Sequence, residues 1–118
     1  MLKPAFGLLC LTVLLGAWLV LFRLRPEARR PPWPGRAAHG VFGAGGLALL
    51  LLSWPTFGGP QAWFAHSGAV LVAAALPLGL AYWLGWDRLG RARDGMLILH
   101  AFAAIAGFVL LSGWFLNN

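Results

Sequence analysis

The feature that most constrains this chain is where its charges are not. Apart from Lys3, the nine basic and three acidic side chains all fall in two short stretches, Arg23 to Arg36 and Asp87 to Asp94. Four apolar runs are left without a single Asp, Glu, Lys or Arg. Each is about long enough to cross roughly 30 Å of hydrocarbon at about 1.5 Å per residue. With 60% apolar and 10% charged residues, the composition lies well outside that of soluble globular chains. The expectation is an all-α, integral membrane four-helix bundle in a lipid bilayer, with spans at about 5–22, 37–54, 62–86 and 96–116 forming a single four-span domain, 1–118.

The first run is read as a retained span and not a cleaved leader. It is long, ends directly in Arg23, and is followed by no Ala-x-Ala-like site. The next stretch, RLRPEARRPPWPGRA, with five arginines and four prolines, is an irregular basic connection. Pro55 stops the second span before the uncharged turn PTFGGPQ, and Pro77 lies inside the third, where it should bend the helix.

Counting arginines gives an orientation. The loop between spans one and two has five, that between three and four has three, and that between two and three has none. Both arginine loops should be cytoplasmic, with both termini on the non-cytoplasmic side, as in a multi-pass protein of a bacterial inner membrane. Trp54, Trp63 and Trp114 then mark one boundary, and Trp83 and Trp86 the other. The net charge of +6 is explained by this topology, so no nucleic-acid partner is expected. Cys10 stands alone in the first span and reads as apolar filler.

Inside the spans, the polar groups able to do chemistry near neutral pH are His39, His66 and His100. A coupled transporter usually needs an ionisable acid within a span, and there is none; the glutamate of the small multidrug resistance transporters has no counterpart in span one. No nucleophile–base pair, Cys-rich metal site or phosphate loop is present, so no catalytic activity of the chain's own is expected beyond membership of an oxidoreductase. A channel would have to be lined by glycines and carbonyls alone.

By depth, His39 and His100 are level to within about 3 to 5 Å, whereas His66 enters from the opposite boundary, roughly 20 Å away. His66 reads as an interfacial, hydrogen-bonded histidine. The level pair shares a pattern. His39 is followed on its own face by Gly43 and Gly46, and His100 by Ala104 and Gly107. Such strips would leave room for a flat macrocycle between helices. Close helix packing is the competing account, and fits best the row Gly40, Ala44 and Ala48.

A haem iron takes two axial imidazoles. With His39 and His100 as those metal ligands, the ring would lie against Phe42, Leu47, Phe102 and Phe108, and its propionates would meet Arg36 and Arg91 or Arg93. In its His-Gly dipeptide at position 39 and its second histidine two helices on, the chain resembles the small membrane b-type cytochromes, the four-helix-core family that includes the ascorbate-reducible transmembrane cytochromes. That resemblance, over about residues 37–116, implies haem b, electron transfer to or from a quinone or neighbouring cofactor, and other membrane subunits as partners. The family commonly holds a second haem, for which His66 finds no second ligand in this chain. The rival expectation is a cofactor-free or pigment-binding accessory subunit of a respiratory or photosynthetic complex.

Overall fold

The computed structural model describes residues 1–27, 31–85, 88 and 90–117. Arg29, Arg30, Trp86 and Asp87, which entered the orientation and boundary arguments, lie outside the described residues. The chain is all-α. Four long helices, α1 (Leu2–Arg23), α2 (Trp33–Leu52), α3 (Ala62–Leu84) and α4 (Ala92–Leu116), are each long and apolar enough to cross a membrane. With 22, 20, 23 and 25 residues they measure about 30 to 38 Å.

α3 starts at Ala62, where hydropathy places it, but α1, α2 and α4 start earlier. α2 begins at Trp33, four residues before the expected span, because Pro34 sits in its first turn, where a missing N–H costs no hydrogen bond. α4 begins at Ala92 with Asp94 in its first turn, a position the helix dipole favours for a carboxylate. Hydropathy finds the apolar part of a helix, and α2 and α4 begin before it. α2 ends where the buried Ser53 turns its hydroxyl back to the Leu49 carbonyl (2.8 Å), and a single 3-10 turn, Trp54–Thr56, follows. The helix α3 runs unbroken through Pro77, whose missing N–H leaves the Ala73 carbonyl without its usual helical donor.

The described chain forms two compact units, Met1–Ser53 and Trp54–Asn118. Each is an antiparallel helical hairpin, α1 with α2 and α3 with α4. In the N-terminal hairpin the contacts descend α1 as they ascend α2: Gly35 meets Trp18, Gly43 meets Thr12, and Gly46 meets Leu9. In the C-terminal hairpin the helices touch backbone to backbone at Gly68 and Gly107. A Cβ on either would come within 2.8 Å of the other's carbonyl oxygen. Small residues at a crossing permit the close approach that drives helix association in lipid.

Candidate functional site

Each hairpin carries one half-buried histidine on its second helix, and each histidine reaches across to a carbonyl of the first. In the N-terminal hairpin, His39 Nδ1 lies 2.9 Å from Thr12 O; in the C-terminal one, His100 Nδ1 lies 2.8 Å from Ala75 O. A carbonyl can only accept, so Nδ1 carries the proton and donates, and in the neutral ring Nε2 is the nitrogen with the lone pair.

A helical carbonyl already accepts the N–H four residues on, and a side chain there normally screens its second lone pair. Here that residue is glycine in both hairpins, Gly16 after Thr12 and Gly79 after Ala75. The imidazole fills the place of the missing side chain. A Cβ on Gly16 would stand 3.0 Å from His39 Cε1, and one on Gly79 would stand 2.7 Å from His100 Cε1 and 2.8 Å from its Nδ1.

The correspondence continues along both helices. Seven residues before the acceptor stand Ala5 and Gly68, both buried; seven after the histidine stand Gly46 and Gly107, both packed on the first helix of their hairpin. Eleven after it stand the buried Leu50 and Leu111. The two hairpins thus share one arrangement, with the histidine 27 residues after its acceptor in the first and 25 in the second. Sequence reading found the histidine half of the device and missed Thr12, Gly16, Ala75 and Gly79. The available signal was a lone glycine in the C-terminal half of each first helix, in LLGAW and PLGLA.

The glycines following the histidines do a different job from the one expected. The place of a Cβ on Gly43 is bounded by Thr12 at 3.2 Å, on Gly46 by Leu9 at 3.0 Å, and on Gly107 by Gly68 and Val72 at 2.8 and 2.9 Å. The partner helix of the same hairpin occupies the room they make. Gly40, assigned to packing from its spacing, has nothing within 4 Å of its Cβ position, and Ala44 and Ala48 are exposed. The histidine row is the packing row. Ala104 is half-buried and Phe102 is exposed.

Of the basic residues expected near the site, Arg36 stands one turn before His39, with its Nε buried and without a hydrogen-bond partner among the described residues. Arg91 is exposed, and Arg93 Nε lies 4.0 Å from Asp94 Oδ1. His66 sits in the C-terminal hairpin among Trp54 and Phe57, its Nδ1 donating to Ala62 O of its own helix (2.7 Å). Among the described residues no three His, Cys, Asp or Glu side chains gather to hold a metal ion. No protein-family model, curated protein or solved structure matches the chain.

Proposed function

We propose that the chain is a haem b-binding membrane electron-transfer protein, or the haem-bearing membrane subunit of a redox complex, with His39 and His100 as axial ligands. The observation that carries this reading is the duplicated imidazole-to-carbonyl bond. In each hairpin it fixes Nδ1 as donor and makes Nε2 the ligating nitrogen, the second-shell arrangement that orients metal-bound histidines and raises their basicity. A haem needs two such nitrogens from the protein and no third ligand.

The residues present fit that group in two respects. The donor set is a matched pair of imidazoles, and the buried, unpartnered Nε of Arg36 is a donor suited to a carboxylate such as a propionate. Gly43, Gly46 and Gly107 bring the helices of each hairpin together and so hold the imidazoles in place; they do not line a slot for the ring. When bound, the haem would supply one-electron exchange between ferric and ferrous iron. The chain's own residues would orient the ligand nitrogens, exclude water with apolar side chains, and place Arg36 at the arginine-rich boundary.

The charge pattern supports the pairing, since the two arginine-bearing loops are the ones that precede the helices of His39 and His100. Protein expressed with a supply of haem should show a b-type α-band in the reduced-minus-oxidised spectrum, lost in His39→Ala and in His100→Ala.

One observation favours a second reading. The bonds and glycine contacts complete each hairpin without any cofactor. A cofactor-free accessory subunit would use the histidines as clamps between helices. A missing α-band together with no extractable pigment sinks the haem assignment and leaves this one.

A further inference from the structure

His66 is the one histidine that clamps nothing. His39 and His100 reach from one helix to another, whereas His66 bonds to Ala62, one turn back on its own helix, and joins no two elements by doing so. Its Nδ1 is the donor in that bond, so in the neutral ring Nε2 is an acceptor. The imidazole is half-buried.

Aromatic rings surround it. Trp54 stands 4.6 Å away, centroid to centroid, at 81°, and Phe57 stands 5.5 Å away at 84°. Phe57 is fixed from behind by Trp114 (5.1 Å), whose indole Nε1 donates to Gly58 O at 3.3 Å. Phe57 and Trp114 are buried at 7% and 6% exposure, while Trp54 is open at 36%. One fixed ring, Phe57, and one accessible ring, Trp54, flank the imidazole. Between Arg36 and Asp87 the sequence holds no charged side chain, so the segment that carries Trp54, Phe57 and His66 is uncharged.

We propose that Trp54, Phe57 and His66 form a binding corner for a lipid-soluble quinol, which enters from the bilayer, sets its ring against Trp54 and donates a hydroxyl hydrogen bond to His66 Nε2. The apolar aromatic walls suit a planar ring, and the lone acceptor selects its oxidation state. A quinol has hydroxyl donors to offer; a quinone has only carbonyl acceptors and meets a lone pair with a lone pair. The corner therefore discriminates reduced from oxidised forms without any redox step of its own. It belongs wholly to the C-terminal hairpin and does not depend on haem.

The test uses the full chain in phosphatidylcholine nanodiscs, following the imidazole nitrogen NMR resonances of His66 during titration with decylubiquinol and, separately, decylubiquinone. The quinol should move the Nε2 resonance and bind about tenfold more tightly than the quinone, and His66→Phe, which keeps an aromatic ring and removes the acceptor, should abolish that preference. Trp54→Leu should weaken quinol binding while the Nε2 response at saturation persists. Equal affinity for the two forms, or an unmoved Nε2 resonance in the unmodified protein, overturns the proposal whether or not the variants fold. A third arm replaces part of the phosphatidylcholine with phosphatidylglycerol. An Nε2 shift there without quinol assigns the hydroxyl to a lipid headgroup and also overturns it. Loss of the b-type spectrum elsewhere in the chain would leave these results unchanged, so the two readings fail separately.

Discussion

Replacing Gly79 with alanine should push His100 off its carbonyl. The added Cβ would sit 2.7 Å from Cε1 and 2.8 Å from Nδ1, against an ordinary contact of about 3.4 Å or more, so the ring must retreat by about 0.7 Å. Its bond to Ala75 O, now 2.8 Å, would stretch to about 3.5 Å, the limit at which a hydrogen bond is lost. Losing the bond costs about 1 kcal/mol, and leaving a donor unsatisfied away from water adds about 1 to 3 kcal/mol. Alanine's better helix propensity returns about 1 kcal/mol, for a net loss of about 1 to 3 kcal/mol. The assay is reversible unfolding in mixed micelles with a double-mutant cycle against His100→Ala. Because the clash needs the imidazole, Gly79→Ala should cost little in the His100→Ala background, giving a coupling of about 1 to 3 kcal/mol. A coupling within about 0.3 kcal/mol of zero would refute the reasoning, since the glycine would then not be seating the ring. Gly16→Ala, where the closest approach is 3.0 Å, should cost less than about 1 kcal/mol in the same assay.

Gly107→Ala drives a Cβ into the Gly68 carbonyl and the Val72 backbone nitrogen, atoms that cannot rotate away, so it should destabilise by about 1 to 3 kcal/mol in micelle unfolding. Gly40→Ala and Gly113→Ala meet nothing within 4 Å and should be neutral or mildly stabilising in the same measurement. Trp114→Phe removes the indole donor to Gly58 O, a bond of 3.3 Å, and should cost about 1 kcal/mol while leaving the helix content by circular dichroism unchanged. With Cys10 replaced by alanine, an impermeant maleimide applied to intact cells should label a cysteine placed at Gly58 and spare one placed at Arg25; the reverse pattern would invert the orientation read from the arginines.

The four helices were legible because lipid imposes one rule on every span, that charges stay out, and the positions of Arg23, Arg36, Asp87 and Asp94 mark where the rule stops applying. Their starts were less legible: Trp33 and Ala92 lie beyond the apolar runs, where helix-end chemistry governs. At the site, spacing correctly put His39, Gly43 and Gly46 on one face but could not say what that face meets. Gly40, Ala44 and Ala48 make an equally regular small row, and helical spacing does not choose between the two rows. The choice lies with the partner helix, through the fit of Leu9 into Gly46 and of Thr12 against Gly43. Thr12 and Ala75 were invisible for a different reason. They act through backbone carbonyls, which every residue has, and only the absent side chain four positions later makes these two available.

The repetition of that absence is what separates a functional device from an accident of packing. One glycine beneath one imidazole could arise wherever two helices cross closely. In both hairpins the acceptor precedes its glycine by four residues and the histidine precedes its second glycine by seven, and in both the same ring nitrogen is the donor. A clamp between helices gains from the donated bond and from the ring that fills the space over Gly16 or Gly79. What imidazole adds besides is a second nitrogen, whose lone pair the first bond orients. On the proposed reading, that second nitrogen is what an axially coordinated iron would use at both positions.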